Sequence, residues 1–178
     1  MPYFEKIPGE RIYLSPIDPG DAETYTKWVN DFEVTRWLGS TGSVYSLPAE
    51  RAYLENATKE TNNHQFAIVL RDGNRLIGSI GLMDLNQRCQ KATLGIFIGE
   101  AEDRSKGYGT EAIRLLVDYG FQWLNLRNID LHVNSGNARA IACYKKAGFR
   151  EYGRRHDAII ADGRWYDDVL MEVLADLK

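Results

Sequence analysis

The segment 104–110 reads RSKGYGT and is followed by an apolar pattern of helical period. Gly107 and Gly109 permit backbone turns that a β-carbon would block. A glycine-containing loop that opens a helix directs several unpaired backbone N–H groups at one place, and such a place binds anions. The segment therefore predicts an anion site, and Arg104 and Lys106 supply positive charge nearby.

The common alternatives for such a loop do not fit the chain. No segment has the phosphate-loop pattern G-x-x-x-x-G-K-[ST]. A dinucleotide fingerprint would accept Ala112 as its third small residue, but it belongs near the first strand and needs an acidic residue where Ile129 stands. The pattern G-x-S-x-G is also absent. The histidines are too scattered to predict a metal site or a triad: His64, His132 and His156.

A second segment, 137–149, reads NARAIACYKKAGF. Asn137 suits the N-cap of a helix that Gly148 would terminate. Together the two segments resemble the GNAT superfamily of N-acetyltransferases, whose signatures are Q/R-x-x-G-x-G/A between a strand and a helix and, further along, N-x-x-A-x-x-x-Y-x-K-x-G-F. The resemblance covers nearly the whole chain, from the opening ERIYLSPI to the closing DGRWYDDVLMEVL.

The resemblance implies acetyl-CoA as acetyl donor, with no metal. The loop would hold the pyrophosphate, and the pantetheine arm would lie beside a splayed strand, Gly95–Gly99, with the sheet split near Gly99. The extended, amide-rich arm can hydrogen-bond to that strand like an added one. The cofactor-binding residues implied are Ile96, Phe97, Ile98, Arg104, Ser105, Lys106, Gly107, Tyr108, Gly109, Thr110, Asn137 and Lys146.

The resemblance assigns Tyr144 the role of general acid, which protonates the departing thiolate. A phenol of pKa about 10 suits a thiol leaving group of pKa about 8.5. The other interpretation of Tyr144 is a core aromatic whose hydroxyl is tied to the backbone. The base is left open between Asp84, Glu100 and a water chain. Since neither cysteine lies in a motif, we expect direct attack by an amine, with backbone N–H groups near Ile98 polarising the carbonyl.

The acceptor is not specified by the sequence. The chain is similar to two branches of the superfamily, the spermidine acetyltransferases and the ribosomal-protein N-terminal acetyltransferases, but segment 35–47 lacks the carboxylates that a polyamine requires. A sugar-nucleotide or antibiotic amine stays open, as does a non-catalytic coenzyme A-binding sensor or scaffold. An aromatic group could line the acceptor pocket or belong to the core: Trp28, Trp37, Tyr45 and Tyr53.

The surrounding pattern predicts one N-acetyltransferase domain over residues 1–178, of mixed α/β class, with about seven strands in one sheet. The expected order is β-αα-βββ-α-β-α-ββ. The residues that indicate this order are a strand at Arg11–Pro16, helix caps at Asp18 or Asp21, a helix opened by Pro48, and hairpin turns at Asp72-Gly73 and Asp162-Gly163.

Bulk properties exclude several classes of protein. The net charge of −3 gives no basic stripe for nucleic acid. The N-terminus lacks a signal-peptide pattern, and no apolar run could span a membrane, so we expect a cytoplasmic enzyme. Only Cys89 and Cys143 are present, which is typical of a reducing compartment. The run YDDVLMEVL in the last hairpin, 151–174, predicts a homodimer or higher homo-oligomer through that edge.

Overall fold

A computed structural model describes residues 3–60 and 64–176, which form an eight-stranded sheet. The spatial order is β1-β2-β3-β4-β5-β6-β8-β7, and only β5 and β6 run parallel. The strands are β1 (Ile7–Pro8), β2 (Ile12–Pro16), β3 (His64–Leu70), β4 (Arg75–Asn86), β5 (Lys91–Ile98), β6 (Asn128–Asn134), β7 (Arg150–Ala161) and β8 (Arg164–Leu174).

Helices connect the strands where the sequence provides caps. Ser46 accepts a hydrogen bond from the Ala49 N–H and Asp31 from the Glu33 N–H, so each begins a helix. Asp18 caps only a short 3₁₀ turn, through the Gly20 N–H. The helices are α1 (Ala22–Val29), α2 (Phe32–Thr35), α3 (Leu47–Ala57), α4 (Tyr108–Trp123) and α5 (Ala138–Lys146).

The sheet has a hydrophobic core on each side. The larger core packs α4 and α5 against the sheet, with Ile113, Leu116 and Tyr144 among its buried residues. The smaller core lies under α1 and α3, around Trp28 and Leu54. The predicted mixed α/β class is confirmed. The structure adds the short strand β1 and the one-turn helix α2 to the expected order.

The parallel strands β5 and β6 pair over only a few residues. Their register begins at Lys91 opposite Asn128 and ends at Thr93 opposite Asp130. Beyond Thr93 the two strands part, while β5 stays paired with β4 as far as Ile98. The sheet therefore opens from Leu94 onward, earlier than the expected position near Gly99.

The final hairpin differs from the expectation drawn from its apolar run. β8 lies between β6 and β7, so it is not an edge strand. Val169 and Met171 are fully buried in the larger core. Because the apolar side chains of β8 serve the core, the prediction that this run is exposed was wrong. The outer edge of the sheet is β7, most of whose residues are exposed.

Candidate active site

A cleft of about 710 Å³ occupies the gap between β5 and β6. One end is formed by the loop before α4, together with α5. The other end is formed by α2 and by the hairpin of β7 and β8. The parting of two strands in mid-sheet thus creates a channel with one end on each side of the sheet.

The start of α4 carries backbone donors that the helix does not use, and Gly107, Gly109 and Thr110 of this region line the cleft. Ser105 and Gly107 adopt left-handed backbone, with φ of 62° and 87°. The first main-chain hydrogen bond of α4 runs from the Glu111 N–H to the Gly107 carbonyl. The N–H groups of residues 108–110 therefore have no partner within the helix, and they carry the positive end of its dipole. This arrangement fits the pyrophosphate of coenzyme A.

Arg104 joins this loop to the end of β5. Its Nε donates to the Ile98 carbonyl at 3.2 Å and its Nη2 to the Gly99 carbonyl at 2.6 Å. Arg104 also lines the cleft. Arg104 therefore fixes the distance between the loop before α4 and the parted strand, in addition to contributing charge.

A clamp that the sequence analysis missed holds the same loop from outside. Glu111, in the first turn of α4, accepts hydrogen bonds from the backbone N–H and the Nε of Arg11, each at 2.9 Å. Arg11 in turn donates from Nη1 to the Lys106 carbonyl at 2.9 Å. Burial alone would raise the pKa of Glu111, but the hydrogen bonds from Arg11 and from the Ile12 N–H lower it overall. Arg11 and Glu111 are far apart in sequence, which hides the pairing.

Ten of the twelve predicted cofactor residues line the cleft. The two that do not are Lys106 and Tyr108. Arg11 Cζ lies over the Tyr108 ring, 5.1 Å from the centroid of that ring. Those that do are Ile96, Phe97, Ile98, Arg104, Ser105, Gly107, Gly109, Thr110, Asn137 and Lys146.

The start of α5 forms the wall beside α4. The Asn137 side chain accepts from the Ala140 N–H at 3.1 Å and so caps α5. Thr110 Oγ1 and Cys143 Sγ lie 3.2 Å apart and connect the two helices. Arg139 and Lys146 add two cations to this end of the cleft.

Tyr144 also lines the cleft, from the face of the sheet covered by α4 and α5. The residue is 8% exposed, and its ring packs at 5.9 Å from that of Phe149. Within the part of the chain that the structure describes, its hydroxyl makes no hydrogen bond, so it is not tied to the backbone. Burial raises the pKa of the Tyr144 phenol above its ordinary value. The phenol is protonated at neutral pH and has a proton to give, while the raised pKa makes it a weaker acid than a free phenol.

Neither carboxylate considered as the base lies in the cleft. Asp84 is exposed near the end of β4. Glu100 accepts from Lys27 Nζ at 2.6 Å and from Trp28 Nε1 at 3.0 Å. The hydrogen bond from Lys27 lowers the pKa of Glu100, and a lower pKa makes a carboxylate a weaker base.

The predicted aromatic group is not brought together. Trp28 is 2% exposed in the smaller core, where a β-carbon at Gly99 would lie 2.0 Å from its indole. Trp37 lines the cleft and packs edge-on against Tyr166. Tyr45 and Tyr53 are not among the lining residues.

Four polar residues line the end of the cleft beside α2 and the β7–β8 hairpin (the acceptor end), and none of them was predicted from the sequence for this role. Asp168 pairs with Arg155, with 2.6 Å between Oδ2 and Nη2, and its Oδ1 lies 3.3 Å from His132 Nδ1. Asn134 stands opposite Asp168 in the register of β6 and β8. The one available signal was the doubled aspartate in DGRWYDDV, which puts a carboxylate in an otherwise apolar strand.

Within residues 3–60 and 64–176, no three His, Cys, Asp or Glu side chains are grouped as a metal site would require. The helices in those ranges are all too short or too polar to cross a membrane.

Comparison with known proteins places this geometry in a family. Residues 11–150 match the acetyltransferase (GNAT) domain. The chain belongs to the GNAT acetyltransferase family. It is accordingly an acetyl-CoA-dependent N-acetyltransferase, as the resemblance implied.

Individual relatives agree with this assignment. The chain is 30% identical to the Probable N-acetyltransferase YjcK of Bacillus subtilis, over 94% of this chain and 96% of the relative. It is 33% identical to the spermidine N(1)-acetyltransferase of Escherichia coli, over 90% and 84%. The crystal structure of Vibrio cholerae spermidine N-acetyltransferase with CoA and spermine has the same fold, with a TM-score of 0.84, 24% identity, and coverage of 92% and 95%.

Proposed function

We propose that this GNAT enzyme transfers an acetyl group directly from acetyl-CoA to a primary amine, with Tyr144 as general acid. The acceptor is a small amine such as a polyamine, or a protein N-terminus. The observation that carries the proposal is one cleft, in the gap between the parted strands, that is lined both by the start of α4 and by Tyr144.

The residues at the end of the cleft formed by α4 and α5 (the cofactor end) match the chemistry of coenzyme A. The N–H groups at the start of α4 suit the pyrophosphate, and Arg139 and Lys146 supply cations for the remaining phosphate charge. Among the described residues, the main chain of β5 beyond Thr93 pairs with no strand on the side towards β6, so it can pair with an amide-rich arm. Its N–H groups near Ile98 are the candidates for polarising the thioester carbonyl.

The chemistry at Tyr144 follows from its surroundings. When the amine forms its bond to the acetyl carbon, the thioester C–S bond breaks and the electron pair leaves with sulfur. The Tyr144 hydroxyl gives its proton to that sulfur. Since Asp84 and Glu100 lie outside the cleft, we propose that water takes the proton from the attacking amine.

The test is release of coenzyme A thiol from acetyl-CoA in the presence of a panel of amines. The panel contains spermidine, a short peptide with a free α-amino group, and an amino sugar. We expect acetyl transfer to at least one of them, confirmed by mass spectrometry of the product. A folded protein that binds acetyl-CoA yet acetylates no primary amine would instead support a coenzyme A-binding sensor or scaffold.

We propose that residues 1–178 form one N-acetyltransferase domain and that it acts in the cytoplasm, which the free thiols of Cys89 and Cys143 support. We also propose a homodimer or higher homo-oligomer through the exposed edge strand β7. Sedimentation of a strict monomer at high concentration would contradict the oligomer without affecting the reaction.

A further inference from the structure

The polar residues of the acceptor end lie on the face of the sheet opposite Tyr144. Successive residues of a strand point to opposite faces. Val133 and Val169 form a register pair inside the larger core, which also contains Tyr144. The next register pair, Asn134 with Asp168, therefore points to the other face. Because the cleft passes between β5 and β6, an acceptor entering beside this pair meets the thioester from the side opposite the acid.

Asp168 has one carboxylate oxygen left for a ligand. Although the residue is only 4% exposed, it lines the cleft. Its Oδ2 pairs with Arg155. Its Oδ1 is buried and makes no hydrogen bond to any residue that the structure describes; His132 Nδ1 lies 3.3 Å away without hydrogen-bond geometry. An unsatisfied buried acceptor costs stability, so a ligand that donates a hydrogen bond there gains affinity.

Asn134 has a complementary free donor. The residue is 2% exposed and also lines the cleft. Its Oδ1 accepts from the Gly136 N–H at 2.8 Å, which fixes the orientation of the amide. Its Nδ2 is buried and has no hydrogen-bond partner among the described residues. The register pair thus offers one acceptor and one donor side by side.

We propose that Asn134 and Asp168 form the acceptor-binding subsite, and that it selects an amine with a carbonyl oxygen on the neighbouring carbon, as in the α-amino end of a peptide. The amine N–H donates to Asp168 Oδ1, and the adjacent carbonyl accepts from Asn134 Nδ2. A polyamine offers only donors from its ammonium groups and leaves the Asn134 donor unpaired. This inference rests on the proposed acetyl transfer and chooses between its two acceptor classes.

The charges around the cleft favour the same choice. Among the described residues, three carboxylates line it, and each is paired with an arginine: Glu33 with Arg36, Asp103 with Arg75, and Asp168 with Arg155. The lining therefore offers no uncompensated carboxylate to attract a polycation. Attack also requires a neutral amine. An α-amine, of pKa about 7.7–8.0, is neutral far more often at pH 7 than an alkyl amine of pKa about 10.4.

The first test compares acceptors with the wild-type enzyme. Thiol release is measured with a tetrapeptide amide that has a free α-amino group, and with spermidine. We expect kcat/KM for the peptide to exceed that for spermidine by about tenfold or more, because a site built for hydrogen bonds rejects a ligand that leaves them unmade. Equal values, or a preference for spermidine, would overturn the inference.

The second test uses Asn134→Ala, Asn134→Asp and a control, Asn128→Ala. Asn128 lies on the same strand and is not among the lining residues. Asn134→Ala is expected to lower kcat/KM for the peptide about tenfold more than kcat/KM for spermidine. Asn134→Asp keeps the acceptor for the Gly136 N–H but places a second carboxylate beside Asp168, so it should shift the preference towards spermidine. Equal losses for both acceptors in Asn134→Ala would contradict the inference.

A measurement of peptide binding distinguishes failure of this inference from failure of the proposed reaction. Calorimetry measures the affinity of the same tetrapeptide for the enzyme saturated with coenzyme A, where no transfer can occur. Binding that Asn134→Ala weakens about tenfold would support the subsite even if no amine were acetylated, and only the reaction would then be wrong. Absence of peptide binding to a complex that does acetylate spermidine would overturn the subsite and leave the reaction standing.

Discussion

The cleft has two ends that are built in different ways. At the cofactor end, the donors are consecutive backbone N–H groups of residues 108–110, supplied by the start of a single helix. At the acceptor end, the polar groups are side chains from three strands: Asn134 on β6, Arg155 on β7 and Asp168 on β8. The first end depends on local backbone conformation, and the second depends on the register of the sheet. Changes at one end should therefore leave the other intact.

The largest effect is expected between the two ends, at Tyr144. Tyr144→Phe removes the hydroxyl and keeps the packing against Phe149. Turnover should fall by about a hundredfold or more, the usual scale for losing a positioned acid, while cofactor affinity changes little. Thiol release and calorimetry measure the two quantities.

Tyr119→Phe is the matched control for this change, because Tyr119 packs against Phe66 and is not a lining residue of the cleft. It should retain turnover. If Tyr144→Phe melted at a lower temperature but turned over at the wild-type rate, Tyr144 would be a core residue and the catalytic role would be wrong.

A change at Gly107 should affect the cofactor end alone. The φ of 87° is unfavourable for any other residue, and a β-carbon would lie 3.2 Å from Arg11 Nη2. We expect Gly107→Val to lower acetyl-CoA affinity at least about tenfold by turning the N–H groups away, with a stability cost of about 1–2 kcal/mol. Calorimetry and thermal unfolding measure the two.

Gly73→Val provides the comparison, since Gly73 has a φ of 72° and lies in a hairpin turn outside the cleft, where a β-carbon would meet no atom within 4 Å. It should lose similar stability and keep its affinity. Unchanged affinity in a folded Gly107→Val protein would show that the loop does not hold the cofactor.

At the acceptor end, Arg155→Gln removes the counter-ion of Asp168. The uncompensated carboxylate should then attract cations, so KM for spermidine should fall several-fold while acetyl-CoA affinity stays the same. Steady-state kinetics at fixed, saturating acetyl-CoA measures this effect. A change in acetyl-CoA affinity of the same size would mean that the two ends are coupled.

The smallest effect concerns the Arg11–Glu111 clamp. We expect Glu111→Gln to lower the free energy of unfolding at neutral pH by about 1 kcal/mol, because it weakens charged hydrogen bonds. The pKa of Glu111 is lowered in the folded protein, so its stabilisation is complete above the unfolded pKa of about 4.3. It is lost as the pH falls through the lower, folded value.

Urea unfolding at pH 7 and pH 3 measures the difference between wild type and Glu111→Gln. The difference should shrink at the acidic pH. A difference that stayed constant between the two pH values would show that the Glu111 charge does not contribute.

The cofactor end was predictable from the sequence because its determinants are local. Gly107 marks the turn with its positive φ, and the helix that follows, which already includes Gly109, supplies the donors. The strand pattern around Asp72-Gly73 was equally local, and the hairpin forms there. These features depend on backbone preferences that neighbouring residues express directly.

The acceptor end was not predictable because its determinants are not local. Asn134 and Asp168 meet only through the antiparallel register of β6 and β8, and Arg11 meets Glu111 only after the whole sheet has formed. The apolar run of β8 also led to a wrong prediction. The sequence pattern did not show that β7 would pair along the outer side of β8, nor that the Val169 side chain would lie in the core. Long-range pairing decides which strand becomes the edge.

The parting of β5 from β6 gives the sheet an edge in its own interior. Past Thr93, the main-chain groups of β5 that point towards β6 pair with no strand among the described residues. Proteins usually protect such edges with charge, proline or a covering loop, because bare edges recruit strands from other molecules. Here protection of that kind would block the cofactor arm. With the arm bound where we propose it, coenzyme A also shields this edge, and we expect the protein depleted of coenzyme A to aggregate most readily.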